Sequence, residues 1–66
     1  MVVFKKLNVG CYQVLRGVEL QTLDPVGEIY YTAENRWRFF TYSDLPTGIC
    51  FEEVNAIATF MKELET

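Results

Sequence analysis

The residues best equipped for recognition lie between positions 28 and 42. Arg36, Arg38, Phe40 and Tyr42 recur with a spacing of two, and Tyr30 falls opposite Arg38 once the intervening segment is folded as a hairpin. On an extended chain that spacing sends the side chains to one face of a sheet. Aromatic rings interleaved with guanidinium groups on an open sheet can stack on unpaired nucleobases. The same set supplies the Tyr, Phe and Arg anchors typical of protein interfaces. The bland alternative is a solvated cross-strand pair, Tyr30 against Arg38, that contributes a little sheet stability and nothing else. A second candidate contact surface is acidic: Glu52, Glu53 and Glu63 on a C-terminal helix.

Catalytic chemistry finds little to work with. The chain has no histidine, which removes the commonest general base and the commonest metal ligand. Asp24, Glu28 and Glu34 read as carboxylates on or beside turns, solvated and unpaired, and the adjacent Glu52 and Glu53 point in different directions on a helix. Cys50 at a helix start could in principle be activated, but it has no histidine partner and two neighbouring glutamates oppose a thiolate. Two cysteines without histidine cannot complete a structural zinc site within one chain. Gly10, Gly17, Gly27 and Gly48 stand singly, so no glycine-rich phosphate loop is present. The expectation is a non-enzymatic protein with no cofactor and no metal.

These residues need a scaffold, and the scaffold must be small. Sixty-six residues make one domain, 1–66, and a chain of that size buries only about 60% of its unfolded surface. Half of the residues are apolar, which argues against disorder. No run approaches the ~20 apolar residues of a membrane helix. The start, Met1-Val2-Val3-Phe4-Lys5-Lys6, has the wrong charge order for a signal peptide, so a cytoplasmic location is expected. Cys11 and Cys50 read as reduced thiols packed as small apolar groups. The net charge of −3 is uneven: residues 1–42 carry +1 and residues 43–66 carry −4. An acidic surface disfavours nonspecific attraction to nucleic-acid phosphates.

The periodicity sorts the chain into elements. Val54, Ile57, Ala58, Met61 and Leu64 recur at spacings of three and four, which predicts a helix over 51–64 flanked by Phe51 and Phe60. Cys50 takes the capping position and Glu53 completes a capping box. Upstream the period is two. Residues 28–32 pair with 36–40 around Ala33-Glu34-Asn35, with Asn35 suited to positive φ. That register sets Ile29 against Phe39 and Tyr31 against Trp37 on the inner face. Tyr30, Arg38, Glu28 and Phe40 then occupy the outer face. Asp24-Pro25-Val26-Gly27 reads as a turn joining a strand over 18–23 to 28–32, placing Val18, Leu20 and Thr22 on the inner face. Residues 11–15 are strand-like, with Gly17 marking a bulge or bend, and 2–7 form a first strand ending in an Asn8-Val9-Gly10 turn. The predicted class is α+β: a four-stranded antiparallel meander sheet with one C-terminal helix packed across one face.

Gly48-Ile49-Cys50-Phe51, followed by glutamates and the 54–64 helix, resembles the end of a family of single-stranded-DNA-binding transcriptional coactivators. There a strand ending in Gly-Ile-Ser-Leu leads from a four-stranded sheet into one helix, and the domain dimerises. The similarity covers about 15 residues. It implies a homodimer whose sheet binds single-stranded nucleic acid. The family's binding face is rich in lysine and arginine, whereas this chain offers chiefly Arg36 and Arg38.

Val2, Val3, Phe4 and the outer aromatics lack an obvious cover, which also predicts a homodimer or a partner. The preferred expectation is a small acidic protein that binds another protein as a regulator or inhibitor, a general look shared by very small acidic proteins of phages and mobile elements. Single-stranded nucleic acid is the alternative partner.

Overall fold

A computed structural model describes residues 1–43 and 48–66; Asp44, counted above in the acidic half, lies outside them. Four antiparallel strands form one sheet in sequential order: β1 (Val2–Asn8), β2 (Cys11–Arg16), β3 (Asp24–Tyr31) and β4 (Trp37–Thr41). One helix, α1 (Phe51–Leu64), follows and packs on a single face. The expected ββββα arrangement is present.

The hairpin between β3 and β4 has the expected register, with Ile29 opposite Phe39, Tyr30 opposite Arg38 and Tyr31 opposite Trp37. Turn geometry sets it. The Thr32 N–H donates to the Arg36 carbonyl at 2.8 Å, and Asn35 adopts φ 62°, the left-handed position that closes a three-residue loop. Between β1 and β2, the Asn8 side chain accepts from the Gly10 N–H at 3.0 Å and stabilises the tight turn there.

The expectation for residues 18–27 fails. Asp24-Pro25-Val26-Gly27 is not a turn but the first half of β3, paired with Arg16, Leu15 and Val14 of β2. Asp24 and Glu28 are therefore strand residues. Residues 18–23 form no strand; they cross from β2 to β3 through a short 3-10 turn over Leu20–Thr22. Val18 and Leu20 are exposed, not on the inner face. Two physical reasons explain the reversal. Pro25 lies beyond the last β3–β4 pair, Gly27 with Thr41, so its missing N–H leaves no ladder bond unmade on that side. Gly27 is needed for close approach: a Cβ there would lie 2.3 Å from the Phe40 carbonyl oxygen and 2.8 Å from the Phe39 ring. A register shift between Val14 and Leu15 marks a bulge, and it lets Val26 join Gly27 on the helix side.

Among the described residues the core is Val14, Val26, Ile29 and Ile57, with Val2, Phe4, Tyr12, Trp37, Phe39, Phe60, Met61 and Leu64 packed around it. Phe4 stacks on Phe60 with ring centroids 4.0 Å apart, and Tyr12 meets Phe60 edge-on at 5.1 Å. Val2 and Phe4 thus find cover within the chain, contrary to expectation. The helix begins and ends where its periodicity placed it, but its inward stripe is rotated. Val54 and Phe51 are exposed, while Ile57, Phe60, Met61 and Leu64 face the sheet. Arg16 meets the helix at its first turn. Its guanidinium bonds to Glu53 Oε1 at 2.8 Å and to the Gly48 carbonyl at 2.5 Å, on the side of the turn that faces the sheet. Gly48 to Cys50, the residues that carry the resemblance to the coactivators, are not strand. No helix among the described residues is long and apolar enough to cross a membrane.

Candidate functional site

With α1 committed to the Ile29–Phe39 face, no helix among the described residues lies over the opposite face. The pairing register arranges that face in rows. Cys11, Tyr30 and Arg38 form one row, and Gln13, Glu28 and Phe40 form the next. Tyr42 follows β4 and is anchored by its N–H, which donates to the Val26 carbonyl at 3.0 Å. Val3 and Leu15, paired with each other, continue the surface toward β1.

Glu28 is the hub. Its Oε1 accepts from the Tyr30 hydroxyl and from the Cys11 thiol, the latter at 3.7 Å, and its Oε2 accepts from the Tyr42 hydroxyl at 2.5 Å. Gln13 Nε2 in turn donates to Tyr42 Oη at 3.3 Å. Hydrogen bonds to a carboxylate favour its ionised form. The Tyr30 hydroxyl, then that of Tyr42, holds the Glu28 carboxyl below the usual range. The same bonds act in reverse on the donors. Tyr30 is pushed up to about 12, and Tyr42 is also raised, in both cases chiefly by the Glu28 hydrogen bond. Burial, followed by the Glu28 charge, raises the Cys11 thiol. Cys11 is a protected, protonated thiol, poorly suited to nucleophilic work.

Around this hub the aromatic rings stand open. Tyr30 is 42% and Phe40 50% exposed, and their rings meet at 65° with centroids 5.9 Å apart. The corner between two such rings can receive a flat or cationic group. Arg38 is exposed, and its Nε bonds to Glu34 Oε1 at 3.0 Å, which draws the guanidinium toward the hairpin.

The sequence-derived candidates are thus divided among four places. Tyr30, Arg38, Phe40 and Tyr42 share the open face. Arg36 precedes β4 and borders a shallow cleft with Tyr31, Asn35, Trp37, Leu64 and Glu65. Glu52 and Glu63 border a groove between α1 and Phe4. Glu53 stands apart from them, bonded to Arg16 and accepting from the Cys50 N–H at 3.0 Å, the acidic half of the expected capping box. These two partners, the Cys50 N–H first, hold the Glu53 carboxyl low.

Sequence reasoning missed Glu28, Cys11 and Gln13 as a group. Glu28 had been read as solvated beside a turn; it is half-buried in mid-strand. The signal for it was parity alone, since Glu28 shares its outer face with Tyr30, Phe40 and Tyr42. Cys11 is buried as expected, but Cys50 is exposed rather than packed. Among the described residues, no group of three or more His, Cys, Asp or Glu side chains could hold a metal ion. Searches with this chain match no protein-family model, no curated protein and no solved structure.

Proposed function

We propose that this protein is a non-enzymatic interaction module that docks another protein on the open face of its sheet and acts as a regulator or inhibitor of that partner. The observation that carries the proposal is the half-exposed pair Tyr30 and Phe40, anchored around Glu28 on a face that α1 leaves free. Tyr and Phe set in a preorganised array lose little side-chain freedom on docking, which is the usual character of interface anchors. The hub also weighs against the alternative partner. An ionised carboxylate in the middle of the platform repels nucleic-acid phosphates, and Arg38 is already engaged with Glu34.

Site-specific photo-crosslinking tests this reading. A benzoylphenylalanine is placed at position 40, and in a separate variant at the exposed helix position 62. A discrete protein adduct is expected from position 40 and not from 62, with a yield that falls on Tyr30→Ala. An adduct at twice the mass of the chain would make the docked protein a second copy. Absence of any protein adduct from position 40, together with salt-sensitive binding of a poly-dT oligonucleotide, would replace the proposal with the nucleic-acid reading.

A further inference from the structure

The polar atoms of the open face are arranged with one polarity. The hydroxyl and thiol donors of the cluster are spent inward, the Tyr30 and Tyr42 hydroxyls and the Cys11 thiol on Glu28, and one N–H of the Gln13 amide bonds to Tyr42. What remains facing outward is acceptor capacity on the Glu28 carboxylate and the phenolic oxygens, beside the faces of Tyr30 and Phe40. The carboxylate also lacks a counter-charge. Among the described residues the ion pairs are Arg16 with Glu53 and Arg38 with Glu34, and neither involves Glu28. Lys5 lies on the same face across from Gln13, yet makes no ion pair there. Spare acceptor capacity, a carboxylate with no ion pair among the described residues and two rings set at an angle are complementary to a flat, donor-rich cation.

We infer that the Glu28–Tyr30–Phe40–Tyr42 cluster is a receptor for an arginine side chain presented by the docked protein, the guanidinium bonding to Glu28 and lying against the Tyr30 and Phe40 rings. The inference rests on the docking reading above and names the chemistry of the contact. A guanidinium fits better than an ammonium because its planar fork can donate to Glu28 Oε2, which accepts only one bond, and to a phenolic oxygen while its face stacks on a ring. An anionic ligand would have to approach the Glu28 carboxylate itself. A purely apolar ligand would bury that charge without an opposite charge beside it.

The test uses the intact chain and a minimal probe. Nα-acetyl-arginine amide is titrated against the protein, with aromatic and amide NMR shifts followed residue by residue, and Nα-acetyl-citrulline amide serves as the uncharged isostere. The arginine probe should produce saturable shifts at Cys11, Glu28, Tyr30, Phe40 and Tyr42, and the citrulline probe none. Glu28→Gln keeps the shape and should weaken the arginine probe about fivefold. Glu19→Gln, which removes an exposed carboxylate outside the cluster, should retain full binding, and a dispersed amide spectrum of Glu28→Gln checks that its loss is not a folding defect. Equal response to citrulline, undiminished binding by Glu28→Gln, or shifts confined to the Glu52–Glu63 groove would each overturn the inference. The two levels of the argument separate cleanly. A position-40 crosslink that persists at full yield in Glu28→Gln leaves docking standing and removes the arginine site. Arginine shifts without any crosslink do the reverse.

Discussion

The Tyr42 hydroxyl donates to Glu28 Oε2 at 2.5 Å, so a residue that has already left β4 is tied to the middle of β3. The bond closes the open end of the hairpin on the face opposite the helix. With the Tyr30 hydroxyl on the other carboxylate oxygen, it makes Glu28 a strut as well as a surface group. Stability and recognition are therefore coupled at one side chain.

That coupling has a pH signature. The Tyr30 hydroxyl is pushed up to about 12 from the ordinary tyrosine value, so its contribution is complete below pH ~10 and is lost as pH rises toward 12. Glu28 has a lowered pKa, so its contribution is present above the ordinary carboxylate range and is lost as pH falls through the depressed value. Thermal midpoints should show a plateau from just above the ordinary carboxylate range to pH ~10, falling on both sides. Phenolate absorbance should show Tyr30 and Tyr42 ionising late, above the ordinary tyrosine range. In Glu28→Gln the delay should vanish; a delay that survives this substitution would show that the bonds to Glu28 do not cause it.

Arg16 and Glu53 supply the main polar tie between sheet and helix. Glu53 also accepts from the Cys50 N–H, so Glu53→Ala removes a cap and an ion pair together. Caps contribute about 1 kcal/mol and partly exposed ion pairs about 0.2–1 kcal/mol. Glu53→Ala should therefore lower the thermal midpoint by about 5–10 °C in a domain of this size. In a double-mutant cycle, Arg16→Met and Glu53→Ala should couple by about 0.5 kcal/mol, because Arg16 keeps its bond to the Gly48 carbonyl. Strict additivity in chemical denaturation would show that the pair is idle.

Local rules made much of this fold legible. The β3–β4 register followed from a three-residue loop with Asn35 in the left-handed region, and the extent of α1 followed from its period and the Cys50–Glu53 box. The inner and outer faces of Trp37 to Tyr42 followed from parity. What stayed hidden depends on tertiary contacts. Asp24-Pro25-Val26-Gly27 has the composition of a turn, and only the Phe39 ring and the Phe40 carbonyl lying over Gly27 make it a strand. Misreading it removed 11–16 as the neighbour of β3, and with it the placement of Cys11 and Gln13 beside Glu28 and Tyr30. The hub was invisible for that reason. Glu53 likewise meets Arg16 from a strand 37 residues earlier, while Val54 stays in solvent, a pairing that the helix period alone does not reveal.

Gly27 offers a sharp check on the corrected strand. Alanine at this position puts a methyl group 2.3 Å from a backbone oxygen, where neither β3 nor β4 can give way without breaking ladder bonds. Overpacking of this kind costs about 1–3 kcal/mol. Gly10 is the control, since a Cβ there meets only the Tyr31 Cβ at an ordinary 3.7 Å. Gly27→Ala should lower the urea midpoint clearly and Gly10→Ala should leave it within about 0.5 kcal/mol. Similar midpoints for the two variants would return Asp24–Gly27 to the turn that its composition suggests.

The two cysteines should part company in the folded chain. Cys50 is exposed at the helix start, whereas Cys11 is buried under Glu28 with a raised pKa. An aromatic disulfide reagent at neutral pH should label Cys50 quickly. Cys11 should react only at the rate of opening, since burial blocks access and a protonated thiol is a poor nucleophile. Replacing Cys50 by Ser should raise stability by roughly 0.5–1 kcal/mol, because a hydroxyl accepts the first-turn N–H better than a thiol does. Replacing Cys11 by Ser should do the opposite: a third O–H donor can reach Glu28, but a more polar group is then desolvated at a buried position. Fast labelling of Cys11 in the native protein would place its thiol at the surface, and the floor of the Glu28 cluster would then be open to water rather than sealed.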